Sequence, residues 1–269
     1  MVHHLRKNKK FVIFMTKPNF LTSQTFVAII GLLVFSVIQS QTVSEPDLSG
    51  IWQRVGRAGQ GGEGPQYPTL VVGEEPPLTA WGRERLALAK PIHGPDPASP
   101  TESNAAELLC LPMGFPATYF RPRPVEIIQL PDRIFMLFEV DNFWRIIYMD
   151  GREFPEVPLH SWNGYSIGHY EDDALVIETR HIIGWESENL QRWLDRLGYP
   201  FSDELRIIER IRPINNGRLE NAITIDDPIA YERPWTGTIN YRHREFELAE
   251  TICQELMLSE LPHMRPGQE

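Results

Sequence analysis

The strongest constraint on the fold is a series of short β-branched and aromatic runs in the second half of the chain, interrupted by turn residues. Runs over 125–130, 133–140 and 143–149 are separated by Pro131-Asp132 and Asp141-Asn142, which suit two-residue turns. Three strands joined by such turns predict an antiparallel meander. Further strands are expected over 164–170, 174–181, 205–213, 218–226 and 237–246.

The hairpin of 205–213 and 218–226 has a register that the residue pattern predicts. A two-residue loop would place Ile211 opposite Ala222 and mix apolar and polar residues on each face. A three-residue loop with Gly217 in a left-handed conformation separates the faces better. The expected pairs are Ile207 with Ile225, Glu209 with Ile223, Ile211 with Asn221, Arg206 with Asp226 and Arg212 with Glu220. This register leaves Glu209 on the apolar face.

Together these strands predict one mainly β unit of about eight or nine antiparallel strands. A barrel or a strongly curved sheet is the expected closure, because it hides exposed edge strands. About two or three short helices should accompany it. One is predicted to follow the N-cap residue Thr79, and another spans 187–197, where apolar residues recur at helical spacing. Residues 41–124, which include a Gly- and Pro-rich loop, are expected to pack on the β domain of residues 125–269.

The first 40 residues have the layout of a targeting segment. They contain basic residues but no acidic residue, and an apolar run over 26–38 precedes small polar residues. That run is shorter than the roughly 20 residues that a membrane-spanning helix needs. The pattern predicts a signal peptide that is cleaved after Ser40, and therefore a periplasmic or secreted protein without a membrane span. The alternative is an uncleaved N-terminal anchor.

The charge balance argues against two classes of partner. The chain has 26 Lys and Arg against 36 Asp and Glu. Loss of the basic N-terminus would make the remainder more acidic still. A strongly acidic protein is a poor match for nucleic acid or for an anionic membrane surface. A small molecule is the expected partner, and the sequence leaves the oligomeric state open.

Cys110 and Cys253 are the two cysteines of the chain. An even pair in an exported protein suggests a disulfide, and the alternative is two free thiols. No Cys-x-x-Cys motif is present, and the histidines show no spacing typical of metal ligands. The sequence therefore predicts neither a metal site nor another cofactor.

Gly50-Ile51-Trp52 resembles the Gly-x-Trp opening of lipocalin-like barrels. More of the chain resembles a family of uncharacterised exported bacterial proteins. The motifs that carry this resemblance are 47–52 (DLSGIW), 110–114 (CLPMG), 145–152 (RIIYMDGR), 162–170 (WNGYSIGHY), 173–179 (DALVIET), Glu209-Arg210, 224–228 (TIDDP) and Cys253. The chain departs from the family pattern at Glu171-Asp172-Asp173 and in the segment around Trp193. The resemblance implies export, a β-rich fold and the two cysteines, but no reaction.

Two groups of ionisable residues are candidates for catalysis. In the hairpin that turns at Asp172-Asp173, His169, Glu178 and Arg180 share one face, where a carboxylate neighbour could make His169 a general base. The alternative is a solvated strand face with cross-strand polar pairs. Arg145 lies among apolar neighbours, and Glu209 is its natural partner, either as a buried structural pair or as a pair facing a ligand.

These residues support three hypotheses about function. The first is an acid–base enzyme, such as a lyase, isomerase or hydrolase, acting on a small and largely apolar molecule. His169, Glu178 and Glu209 would move protons, and Arg145 would stabilise negative charge. Residues expected to contact the ligand are Trp144, Tyr148, Phe138, Tyr231 and Arg180. The second hypothesis is a non-catalytic lipocalin-like carrier of a hydrophobic ligand, and the third is an envelope structural protein. Convergence of the ionisable groups in one hollow would favour the enzyme.

Overall fold

The structure is a computed structural model that describes residues 45–55, 76–94, 96–121, 123–157, 159–185 and 192–253. Within these ranges nine strands close into a barrel in sequence order. They are β1 (Gly50–Arg54), β2 (Val125–Leu130), β3 (Arg133–Phe138), β4 (Phe143–Tyr148), β5 (Tyr165–Glu171), β6 (Ala174–Arg180), β7 (Arg206–Ile214), β8 (Arg218–Asp226) and β9 (Trp235–Arg244). The predicted barrel is confirmed. The signal peptide predicted for residues 1–40 lies outside the described residues.

One pair of neighbouring strands departs from the expected antiparallel order. β4 and β5 are parallel, with Ile147 opposite Ser166, whereas every other neighbouring pair is antiparallel. Closing a ring requires an even number of direction reversals, so nine strands cannot all be antiparallel to both neighbours. The segment from Met149 to Gly164 provides the crossover that parallel strands require.

The predicted register of the β7–β8 hairpin is confirmed. Ile207 lies opposite Ile225 and Glu209 lies opposite Ile223. Gly217 has a φ of 64°, as the three-residue loop requires. The turns after β2 and β5 also have the predicted length. The turn after β3 is longer than predicted, because β3 ends at Phe138 and a short 3₁₀ helix precedes β4.

In the described ranges, the structure contains one of the two or three predicted α-helices. The α-helix α1 (Ala80–Leu88) begins where expected, and the Thr79 hydroxyl accepts a hydrogen bond from Gly82 N at 3.1 Å. Three 3₁₀ helices span Ala106–Leu109, Ala117–Phe120 and Val140–Asn142 in the described chain. The helix predicted over 187–197 begins outside the described residues. Its described part is not helical, since Trp193 forms a β-bridge with Pro200.

Side chains fill the interior of the barrel. Inward-facing strand residues such as Ile134, Ile177 and Ile223 have no exposed surface. The segment 113–120, between α1 and β2, enters the barrel, and the Tyr119 ring lies 5.6 Å from that of Phe138 on β3. The hollow that the sequence analysis expected is therefore occupied by the chain itself.

The two ends of the barrel differ in their connections. The tight turns after β2, β5 and β7 share one end. The strand directions place the longer connections, after β1, β6 and β8, at the opposite end, which we call the long-connection end. The chain after β9 returns to this end, where Thr251 N donates to Asn142 Oδ1 at 3.3 Å.

The predicted disulfide is present between Cys110 and Cys253, whose Cα atoms lie 5.6 Å apart. It joins the segment before β2 to the segment after β9. In the described parts of the chain, no helix is long and apolar enough to cross a membrane.

Candidate functional site

The predicted Arg145–Glu209 pair lies at the centre of the barrel. Alternation along β4 and β7 points both side chains inward, where Arg145 is 1% exposed and Glu209 is fully buried. Arg145 Nη2 donates to Glu209 Oε2 at 2.5 Å. The guanidinium carbon also lies 3.9 Å from the centroid of the Phe115 ring.

Four further side chains complete this interior cluster. Arg145 donates to Ser166 Oγ at 3.0 Å, to Thr179 Oγ1 at 2.7 Å and to the Tyr119 hydroxyl at 2.8 Å. The Tyr119 hydroxyl donates to Glu209 Oε1 at 2.7 Å, and Asn221 Nδ2 donates to the same oxygen at 3.0 Å. The charges are thus paired and hydrogen-bonded, which offsets the cost of their burial.

The electrostatics of the interior cluster keep Arg145 positively charged and Tyr119 protonated near neutral pH. Burial by itself lowers the pKa of Arg145, but the charge of Glu209 raises it above its ordinary value overall. Burial and the charge of Glu209 also raise the pKa of Tyr119 well above its ordinary value. The guanidinium and the phenol therefore hold their protons near neutral pH. The geometry makes the cluster a cross-brace that joins β4, β5, β6, β7 and β8 to the segment inside the barrel.

The expected convergence of His169 and Glu178 with Arg145 and Glu209 is not observed. The register that sets His169 opposite Val176 is as predicted, but this face of the hairpin points outward. Exposed His169 Nε2 pairs with Glu171 Oε1 at 2.9 Å. Glu178 accepts from Arg180 and from Arg206, each at 2.6 Å. The pair of Glu178 and Arg206 joins β6 to β7, as the alternative interpretation expects of a solvated strand face, whereas the other two pairs each lie within one strand.

The residues predicted to contact a ligand also divide between the two faces. Trp144 is 57% exposed on the outside of the barrel. Tyr148 faces outward too, where its ring is stacked on Tyr165 with the centroids 5.0 Å apart. Phe138 and Tyr231 are buried, and the Tyr231 hydroxyl donates to Pro200 O at 2.9 Å. The predicted residues therefore do not share one wall.

A small cavity lies instead at the long-connection end, and we call it the end pocket. Its volume is about 30 Å³, room for about two water molecules. Three segments meet around it, from before β2, inside the barrel and before β7. Its lining consists of Ile92, Ala105, Ala106, Met113, Ala117, Arg192, Trp193, Asp195 and Arg196.

Asp195 places a buried carboxyl group in the wall of the end pocket. Its Oδ1 accepts hydrogen bonds from Leu197 N at 2.9 Å and from Tyr199 N at 3.4 Å. Burial raises the pKa of Asp195 to about 7, although these backbone donors and the positive charge of Arg54 oppose the rise. A carboxyl group with this pKa can give up or accept a proton near neutral pH.

Arg192 is the second buried ionisable group of the end pocket, and its exposed surface is 2%. It donates to the carbonyl oxygens of Met113 at 2.9 Å and Ile183 at 3.2 Å, and it lies 4.4 Å from the Trp162 ring centroid. Among the described residues, no carboxylate pairs with it. Burial accordingly lowers the pKa of Arg192 to about 9.

Trp193 and Arg196 add one N–H donor and one further cation to a pocket wall that is otherwise largely apolar. Trp193 Nε1 is buried and has no hydrogen-bond acceptor in the described structure. Arg196 contacts the ring of His93. Burial, together with the charges of Arg196 and Arg121, lowers the pKa of His93 to about 4. His93 is therefore neutral near pH 7, and the positive charge comes from the arginines.

The end pocket is not among the features that the sequence predicts. The predicted helix over 187–197 places Trp193 on an apolar face, and no role is predicted for Asp195. A usable signal was present, because Asp195 is a residue type that accepts hydrogen bonds from backbone two residues on and Gly198 can end a turn. Where the structure describes the chain, no three His, Cys, Asp or Glu side chains form a group that could hold a metal ion. No protein-family model matches the chain, and no curated protein matches it.

Proposed function

We propose that this protein is an exported acid–base enzyme that acts on a small, largely apolar molecule in the end pocket. Asp195 is the group that transfers the proton. The observation that carries the proposal is a buried carboxyl group in the wall of a cavity that is otherwise largely apolar. Pockets of this type are typical sites of acid–base chemistry. Arg192 would stabilise negative charge that develops on the substrate.

Two observations support the broader parts of this proposal. The disulfide suits an oxidising compartment outside the cytoplasm, as expected if the signal peptide is cleaved near Ser40. Lipocalin-like ancestry is supported by the Gly-x-Trp motif, since Trp52 is buried on β1 and its Nε1 donates to Leu48 O at 2.8 Å. Arg145 and Glu209 serve this function by holding the barrel in shape.

The test is to incubate the purified protein with a defined mixture of small metabolites and to follow every component by mass spectrometry. We expect at least one component to be converted by the wild type. We expect the rate of conversion to fall about 10²–10⁴-fold in Asp195→Asn, because the variant cannot transfer the proton. Asp173→Asn removes an exposed carboxylate in a turn and should keep full activity. His169→Ala should do the same. Full activity in Asp195→Asn, or no conversion at all, contradicts the proposal.

The second candidate is a binding protein without catalysis. The observation that favours it is the apolar lining contributed by Ile92, Ala105, Ala106, Met113 and Ala117. The filled barrel means that the end pocket, rather than the lumen, would hold the ligand. In this case a mixture component would bind both the wild type and Asp195→Asn, and the composition of the mixture would not change.

A further inference from the structure

We infer that the end pocket binds the carboxylate group of a small organic acid, held by Arg192, Arg196 and the indole N–H of Trp193. This inference deepens the proposed function, since it names the substrate class of the same pocket. It also stands independently of whether Asp195 performs chemistry on the bound molecule.

The pocket wall contains a buried N–H donor that needs an acceptor and a buried cation without a carboxylate. The Trp193 Nε1–H is buried and has no acceptor in the described chain. Arg192 donates to backbone carbonyl oxygens, and among the described residues no carboxylate pairs with its charge. A buried donor without an acceptor costs free energy, and a ligand oxygen would remove that cost. Both residues line the end pocket.

The charge around the end pocket also favours an anion. Two arginines and one carboxyl group line the pocket, in a chain with ten more acidic than basic residues. Arg54 adds a further positive charge that acts on Asp195. A concentration of cations on an acidic protein favours a negatively charged ligand over a neutral one. Arginine also matches the planar geometry of a carboxylate.

The size and polarity of the end pocket also suit the carboxylate end of an acid. A volume of about 30 Å³ holds about two water molecules, and the two oxygens of a carboxylate can take their places. Apolar side chains of the lining, Ile92, Ala105 and Met113 among them, would then contact the carbon atoms next to the carboxylate, and the rest of the acid would extend out of the cavity. A large hydrophobic ligand of the lipocalin type does not fit this cavity.

The experiment compares three molecules with the same chain length: hexanoate, 1-hexanol and hexylamine. Each is titrated into the full protein while the indole N–H resonance of Trp193 is followed by NMR, assigned with Trp193→Phe. We expect hexanoate to shift this resonance and to bind at least about tenfold more tightly than the other two, because a hydrogen bond between a carboxylate and a cationic donor is stronger than one between neutral groups. Equal binding of 1-hexanol, or no shift with hexanoate, overturns the inference.

Variants distinguish binding at the end pocket from a nonspecific attraction of hexanoate to arginines elsewhere on the surface. Arg196→Gln should weaken hexanoate binding about tenfold and leave 1-hexanol unchanged. Arg218→Gln removes an exposed arginine on β8 and should change neither the affinity for hexanoate nor the affinity for 1-hexanol. Arg192 joins the segments of Met113 and Ile183, and we expect Arg192→Gln to destabilise them, so the ligand comparison on the wild type is the decisive test. An unchanged affinity of Arg196→Gln for hexanoate also contradicts the proposed site.

The outcomes distinguish this inference from the proposed function. Tight binding of hexanoate without any conversion of the metabolite mixture supports the carboxylate site and contradicts the enzyme. Conversion of a neutral component, lost in Asp195→Asn, together with equal binding of hexanoate and 1-hexanol, supports the enzyme and contradicts the carboxylate site.

Discussion

At the scale of single residues, two of the buried carboxyl groups, Glu209 and Asp195, have opposite surroundings. Glu209 is paired with an arginine and accepts two further hydrogen bonds from side chains. Asp195 accepts hydrogen bonds from the backbone and has no arginine hydrogen-bonded to it in the described chain. Because Glu209 is paired with Arg145, it is a structural residue. Asp195 lacks such a partner in the described chain, so its carboxyl group can bind and release a proton near neutral pH.

Removal of Glu209 should be strongly destabilising. Glu209→Ala leaves Arg145 buried without its carboxylate, and we expect the free energy of unfolding to fall by about 3–5 kcal/mol. Urea denaturation measures this change. Glu220→Ala is the matched control, because Glu220 pairs with Arg212 on the outer surface, where loss of an ion pair costs about 0–1 kcal/mol. Similar costs for the two variants would show that the interior cluster is not a brace.

Asp195 should make stability depend on pH between about 4 and 7. Its pKa is about 7 in the folded chain and 3.8 as a model value, so the folded state binds the proton more tightly. The stability that this proton confers is present at low pH and is lost as pH rises to about 7. Groups that act on Asp195 or share its pocket are Arg54, Tyr231, Arg192 and Arg196, and His93 contacts Arg196.

Asp195→Asn should remove this dependence, since asparagine is neutral throughout. The stability of the variant relative to the wild type should rise from pH 4 to pH 7 by up to roughly 4 kcal/mol and then level off. Denaturation curves at a series of pH values measure the difference. Asp173→Asn controls for the loss of one charge. A difference that does not change with pH would mean that Asp195 is ionised throughout this range.

At the scale of elements, the parts predicted from sequence are those that depend on neighbouring residues. Turn residues and alternation set the β7–β8 register, and both are local. The entry of 113–120 into the barrel, the parallel β4–β5 pair and the packing around Asp195 depend on contacts between distant segments. No local pattern encodes them. Local alternation likewise groups His169 with Glu178 but does not say which face points inward.

The β7–β8 turn tests whether local turn residues set the register of this hairpin. Gly217 has a φ of 64°, and a Cβ added there would meet no atom closer than 3.9 Å. Substitution should therefore cost only backbone strain, about 1–2 kcal/mol for Gly217→Ala. Gly217→Asn should cost less, because asparagine tolerates the left-handed region better. Thermal denaturation compares the two variants. An alanine variant as stable as the wild type would contradict the requirement for glycine.

At the scale of the whole molecule, the chain after β9 is fixed to the long-connection end, beside the segments that form the end pocket. Ala249 N donates to Glu139 Oε2 at 3.1 Å, and Cys253 is bonded to Cys110. Cys110 follows Ala105 and Ala106 of the pocket lining and precedes Met113. The disulfide therefore holds a segment that contributes to the pocket.

Loss of the disulfide should destabilise the fold and weaken the pocket. The bond spans 143 residues, and the chain-entropy model assigns such a bond about 5 kcal/mol, while measured losses are about 2–5 kcal/mol. We expect the Cys110→Ala/Cys253→Ala variant to show a loss of this size in urea denaturation and weaker binding of hexanoate. Reducing agent should lower the stability of the wild type and leave the double variant unchanged, which controls for other effects of the reductant. A double variant as stable as the oxidised wild type would show that hydrogen bonds such as that from Ala249 hold this end of the barrel without the bond.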